Sequence, residues 1–224
     1  SVTIDLPPIY SFGLMMALAF LTAGYLTGIE LTRKGYDGEA ASSLVVWAAV
    51  GGVGGARLLS ILEDWPGFLA DPIGAIFSGA GFTFYGGLIG GLIAVSYGMK
   101  RLRLPWGPTA DAIAPGLCLA HAIGRIGCQL AGDGDWGTVT TVPWGMAYPN
   151  AIVGWPYPAG VVVHPTPIYE TVAYTAIFLW LWQRRTVPAP AGAIFSGTSG
   201  WLAAEISSES FINASSTICF CSSS

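Results

Sequence analysis

The chain has 224 residues, of which 53% are hydrophobic and 10% charged, with a net charge of −4 and a mean hydropathy of +0.59. A soluble domain carries roughly 25% charged residues to wet its surface, so a water-soluble monomer is excluded, and intrinsic disorder with it. Nine basic residues in no long run offer nothing to nucleic acid, and Cys118, Cys128, Cys219 and Cys221 form neither a zinc pattern nor a disulfide framework.

Composition therefore points to an integral membrane protein, and its elements are stretches of about 18 or more apolar residues. The first runs from about Ile9 to Thr27, ahead of Glu30 and the pair Arg33 and Lys34. The second, about Ser43 to Leu62, contains Arg57 and stops at Glu63 and Asp64. Between Asp71 and Tyr97 the apolar run is long for one span, so Pro72 to Gly79 reads as a short interfacial segment and the helix proper starts near Gly81. The fourth span, about Thr109 to Ala131, holds Asp111 at its start and Arg125 inside. A polar loop rich in Gly, Pro and Trp covers Gly132 to Pro167. The fifth span, about Ile168 to Trp182, ends at Arg184 and Arg185, before the breaker run Val187 to Pro190. The expected fold is an all-α transmembrane helix bundle of about five spans over residues 1–190.

Orientation follows from the lysines and arginines. Seven of the nine fall after spans one, three and five, and none in the loops after spans two and four. Short cytoplasmic loops collect these residues, so the expected N-terminus is outside and the loop 132–167 lies on the outer face. The first apolar stretch lacks a basic leader and is long enough to span, unlike a cleavable signal sequence. Glycines four apart, Gly51 and Gly55, Gly86 and Gly90, Gly87 and Gly91, let helix backbones approach closely and indicate tight bundle packing. Residues 191–224 do not continue the pattern: ten serines occupy the last 29 positions, with no apolar run long enough to span. Either this is a disordered cytoplasmic tail or the natural C-terminus has been replaced.

Two arginines lie inside spans, where one at the bilayer centre costs roughly 2.5–3.5 kcal/mol on the lenient insertion scale. Arg57 precedes Glu63 by six residues, and Arg125 lies six or seven residues before the outer end of its span. At about 1.5 Å rise per residue, both guanidinium groups start roughly 10 Å below the outer surface. That depth approaches the headgroup phosphates, which Arg grips bidentately. Glu170, at the outer start of span five, can neutralise one of the two in a structural ion pair, leaving the other cation for an anionic ligand. The reading depends on availability: an Arg125 locked against protein carboxylates would contradict it.

Other polar groups gather near Arg125. His121 lies one turn deeper on its face, either as a proton relay or as a helix–helix hydrogen-bonding residue. Cys128 is close to the same face. Asp133 and Asp135, set among Gly132, Gly134 and Gly137, form an acidic turn above Arg125 that either approaches a ligand or is simply a loop. His164 precedes Pro165 in the loop, and Tyr85 heads a Tyr-Gly-Gly segment. On residues alone, the set suits an enzyme acting on phospholipid, or a lipid- or anion-binding transporter.

The run Gly124-Arg-Ile-Gly-Cys-Gln-Leu-Ala-Gly-Asp-Gly-Asp-Trp-Gly137 resembles the signature of the bacterial prolipoprotein diacylglyceryl transferases. Colinear segments resemble the family as well: Phe12-Gly-Leu-Met15, Gly54-Gly-Ala-Arg57, Phe84-Tyr-Gly-Gly-Leu-Ile-Gly90, Asp111-Ala-Ile-Ala-Pro115 and His164-Pro-Thr-Pro-Ile-Tyr-Glu170. The resemblance covers residues 12 to 185. It implies transfer of the diacylglyceryl group of phosphatidylglycerol to the lipobox cysteine of a prolipoprotein, at the outer side of the inner membrane. The products are a thioether-linked lipid and glycerol phosphate. No cofactor or metal is implied.

By that resemblance Arg125 holds the lipid phosphate; Tyr85, at the place of the family's histidine, and His121, on the helix face of Arg125, are further catalytic candidates. Arg57, Gly132, Asp133, Gly137, His164, Tyr169 and Glu170 join Arg125 in substrate binding. The family's pattern also differs from this chain. Its histidine before Gly-Gly is Tyr85 here, and its first-span tyrosine is Phe12. Its two asparagines fall on Cys128 and Ala131, and its glutamate becomes Asp133 with one residue inserted. Two further spans, one with another arginine, follow span five in the family, giving it seven; this chain has no arginine after Arg185. His121, sharing a face with Arg125, is the expected replacement for the lost histidine as proton acceptor. The alternative is a non-catalytic lipid-binding homologue. A transporter is the weaker reading, because no repeated half or pair of interrupted spans occurs.

Overall fold

The computed structural model describes residues 8–72, 83–187 and 190–195. Its elements, in chain order, are α1 (Pro8–Arg33), α2 (Ala40–Glu63), α3 (Trp65–Ala70), α4 (Phe84–Arg101), α5 (Trp106–Ala131), β1 (Val139–Thr140), β2 (Val162–Val163) and α6 (Thr166–Arg184). The protein is mostly helical, as its composition leads one to expect. By length and hydropathy, Ser11–Arg33 and Ala40–Glu63 can each cross a bilayer. Both leave large apolar side chains exposed at helical spacing, Leu14, Leu18, Leu21 and Tyr25 on α1 and Val46, Val50 and Val53 on α2, a face suited to lipid rather than water.

The chain divides into two compact units, residues 1–26 with 113–189, and residues 27–112 with 190–224. In the second, α2 and α4 pack along their glycines. A Cβ at Gly55 would run into the carbonyl oxygen of Gly86, and one at Gly86 into that of Gly55; Gly51 and Gly90 block each other in the same way. Missing side chains at these four positions set the closeness of the helix pair. Thr83 ties the start of α4 to the end of α2, its backbone N–H donating to the Ala56 carbonyl at 3.3 Å and its hydroxyl to Glu63 at 3.0 Å. Leu31, Ala40, Ala41 and Ala112 form a buried cluster under Tyr36 and Leu104.

Asp111 has a structural task in the same unit. Its carboxylate accepts from the backbone N–H groups of Gly192 at 2.7 Å and Phe195 at 2.9 Å, and the Trp106 and Phe195 rings meet edge to face. Gly192 and Phe195 are thereby joined to Asp111 of α5. The remainder of the expected Ser-rich tail, 196–224, and the expected interfacial segment lie outside the described residues, except for Pro72 of that segment.

Three differences from the sequence reading stand out. α3 follows α2 directly, started by the Asp64 carboxylate accepting from the Gly67 N–H at 3.1 Å, a side-chain cap that satisfies an otherwise unpaired helix N–H. The third long helix starts at Phe84. The fold is not wholly α: β1 and β2 pair antiparallel, Val139 opposite Val163 and Thr140 opposite Val162. These strands are two residues each, too short for an alternating pattern to reveal them.

Candidate functional site

The first unit carries the site, built from the end of α5, the loop after it and the start of α6. Gly132 ends α5: it adopts φ +62°, the left-handed conformation glycine takes at least cost, and its N–H donates to the Cys128 carbonyl at 2.9 Å. Gly134 follows at φ +101°. These reversals fold Asp133 and Asp135 back over the helix end. Gly137 then passes so close to His164 and Thr166 that a Cβ would lie 3.0 Å from each side chain, and its N–H donates to the His164 carbonyl at 2.9 Å. Thr166, in the first turn of α6, donates its hydroxyl to the Asp135 carbonyl oxygen. The segments around residues 132–137 and 164–170 are thereby stitched into one structure. Gly132 and Gly137 act through backbone shape.

Arg125 is the centre of this arrangement. Its Nε and Nη2 donate to the two carboxylate oxygens of Glu170, the second at 2.5 Å. Its Nη1 donates to Asp135 Oδ2 and lies 3.9 Å from Cys128 Sγ. The side chains of Arg125 and Glu170 are 13% and 17% exposed, that of Asp135 41%. The expectation of a cation waiting for a headgroup is therefore corrected: Arg125 is paired with two protein carboxylates. A half-buried guanidinium has donors in a fixed fork, and leaving them unmet costs more than pairing them.

Ligand atoms of Cys128, Asp133 and Asp135 lie within 4.8 Å of one another. Such spacing suits a cation, and the Arg125 guanidinium already stands against that cluster. Two carboxylates, those of Asp135 and Glu170, thus hold one guanidinium, and Asp133 lies beside Asp135. Asp135, in the loop, is held above the ordinary carboxylate range, first by burial and then by the charge of Asp133, with Arg125 pulling the other way. Tyr148 is likewise raised by burial. Its ring stacks on Trp136 at 5.2 Å, and its hydroxyl donates to Gln129 at 2.9 Å, which anchors the loop to α5.

His121 lies behind Glu170. Its Nε2 is 3.9 Å from Glu170 Oε2, beyond hydrogen-bond length, and its ring rests on Tyr174 at 4.1 Å. Its near neighbours are therefore groups of α6. His164 and Tyr169 meet, Nδ1 to hydroxyl at 3.0 Å, and Trp144 Nε1 donates to the same hydroxyl at 2.7 Å. Neither Trp144 nor Tyr174 was singled out in the sequence, where nothing links them to residues 25 and 53 positions away. Arg57 and Tyr85 belong to the other unit: Arg57 is half-buried on α2, and Tyr85, second residue of α4, is exposed.

Comparison with known proteins bears directly on this set. The sequence model of a family described as prolipoprotein diacylglyceryl transferase matches residues 1–202. Relatives named phosphatidylglycerol–prolipoprotein diacylglyceryl transferase include one from Clostridium perfringens, 34% identical over 77% of this chain and 66% of its own length. One from Clostridium tetani is 32% identical over 84% of this chain and 74% of its own length. A third, from Leptospira interrogans, is 30% identical over 78% of this chain and 62% of its own length. Measured against these three, the aligned chain spans between 62% and 74% of a relative.

Proposed function

Because the chain belongs to the prolipoprotein diacylglyceryl transferase family, a family of membrane transferases, we propose that it moves the diacylglyceryl group of phosphatidylglycerol onto the lipobox cysteine thiol of prolipoproteins. The observation that supports this most is the meeting of two motif segments, 124–137 and 164–170, around Arg125. The reaction needs a cation at the leaving phosphate, preorganised so that it costs no rearrangement as charge develops, and a group that accepts the thiol proton.

In this reading Arg125 keeps its bonds to Glu170, which holds the guanidinium in plane, and takes the phosphate at Nη1 in exchange for the loop carboxylate of Asp135. Arg57, as a further lipid-binding residue, and Tyr85, as a further catalytic one, are carried over from the family's motif segments. Asp133, His164 and Tyr169 line the way for the acceptor peptide, and Gly132 and Gly137 shape the loop around it. His121, set against Glu170 and Tyr174, steadies Glu170; the role of proton acceptor passes elsewhere. The chain crosses the bacterial inner membrane about five times with its N-terminus outside, so that the loop 132–167 and the site meet the outer leaflet. The alternating distribution of Lys and Arg supports that orientation.

The test uses the full chain in detergent–phospholipid micelles with a lipobox peptide. Thioether formation is followed by mass spectrometry, with and without phosphatidylglycerol, and with Arg125→Ala as the control. Lipid-dependent modification that disappears in the variant supports the reading. Tight lipid binding with no transfer would identify a non-catalytic homologue instead.

A further inference from the structure

The charge around Arg125 poses a problem for an anionic substrate. The Arg125 guanidinium faces Glu170 and Asp135, which accept from Nε, Nη1 and Nη2, and Asp133 lies beside Asp135. A phosphate cannot join without a negative charge moving away or taking a proton, since like charges at such separations repel strongly in a half-buried site. The two paired carboxylates differ in their capacity to leave. Glu170 makes two parallel bonds from within α6 and is 17% exposed. Asp135 makes one, is 41% exposed, and sits beyond Gly134, whose φ of +101° places it in backbone that glycine traverses freely.

We propose that Asp135 is a resident anion: without lipid its carboxylate occupies the Arg125 donor that the lipid phosphate takes, and once displaced it accepts the proton of the acceptor thiol. This rests on the transfer activity proposed above and deepens it. The groups facing Asp135 are Asp133 from the same turn, Arg125 and Cys128 from α5, and Glu170 from α6. Of these, only Arg125 holds the Asp135 carboxylate in its charged form. When the phosphate takes Nη1, that restraint is lost and a further negative charge arrives, and both changes make Asp135 a stronger base. Substrate binding thus switches on the proton acceptor, and the free enzyme keeps it quenched.

The step balances. The thiol proton moves to Asp135, and the thiolate attacks the glycerol carbon bonded to the phosphate oxygen. A C–S bond forms while the C–O bond breaks, its electron pair going to that oxygen beside Arg125. Asp135 returns the proton to the phosphate monoester, and the regained carboxylate closes on Arg125 as glycerol phosphate departs.

The experiment compares wild type, Asp135→Asn and Asp135→Glu in the micelle assay, measuring kcat, KM for phosphatidylglycerol and the pH profile. Asp135→Asn is expected to lower kcat about 100-fold while KM for the lipid falls, because the competing anion is gone. The acid limb of the pH profile should vanish with it, and Asp135→Glu should restore most of kcat. A kcat for Asp135→Asn within a few-fold of wild type overturns the proposal, and so does a raised KM, which would mark Asp135 as a support for Arg125. A wild type that forms no thioether overturns the functional reading itself, and this proposal with it.

Discussion

Arg125 and Glu170, 45 positions apart in the chain, are joined by two parallel hydrogen bonds from Nε and Nη2 to the two carboxylate oxygens. The pair links α5 to α6 at the level where the loop folds over both. Breaking a buried pair from one side leaves a charge without compensation, at a cost of about 3–5 kcal/mol.

Glu170→Gln should therefore lower unfolding stability in detergent by about that amount, and transfer activity along with it. Replacing both partners, Arg125→Met with Glu170→Leu, should recover much of the stability but none of the activity. Chemical denaturation followed by tryptophan fluorescence measures the first effect. A loss no larger for the single variant than for the double would show that the pair does not hold the helices.

The helix pair α2 and α4 offers a contrast between glycines of the same motif. Gly55→Val drives a side chain into the Gly86 carbonyl and should destabilise by about 1–3 kcal/mol through overpacking. Gly54→Ala, with nothing within 4 Å of its Cβ, should be neutral or stabilise by up to about 1 kcal/mol through helix propensity. Thermal unfolding of the two variants side by side checks the difference in sign.

His121 contacts Glu170 at 3.9 Å with its side chain 35% exposed. A partly exposed contact of that length is worth about 1 kcal/mol at most, and a tenfold change in rate corresponds to about 1.4 kcal/mol. His121→Gln should accordingly keep transfer within tenfold of wild type. A much larger loss at unchanged KM would return the role of proton acceptor to His121.

Asp135 also makes a prediction about stability and pH. Its carboxyl is raised in the folded protein, by burial first, so the folded state binds its proton more readily than the unfolded chain does. The contribution to stability is then favourable at acidic pH and declines as pH rises from the ordinary carboxylate range through the folded value. Asp135→Asn, which stays neutral, should raise the unfolding midpoint at neutral pH and lose that advantage below the carboxylate range. An advantage that instead grows as pH falls would reverse the assigned sign.

Much of this protein was legible in its residues, and the limits of legibility have a common cause. The scarcity of charge excluded a soluble fold, because wetting a surface is a property of composition alone. Apolar run lengths located the long helices to within a few residues, and glycines four apart marked a helix contact because that spacing puts them on one face. Motif order gave the family, which the comparison established. Strands β1 and β2 escaped, being two residues long and held by partners more than 20 positions away. Asp111 carried no sign that it would cap residues 192–195 from 81 and 84 positions off.

The state of Arg125 was beyond the sequence for the same reason. Its residue type and depth are local, and they correctly drew attention to it. Whether its fork is open or filled depends on Glu170 arriving on another helix, and on two left-handed glycines turning Asp135 back onto Nη1. Charge type is written in each side chain, whereas charge balance is decided only when distant segments are brought within a few ångströms of each other.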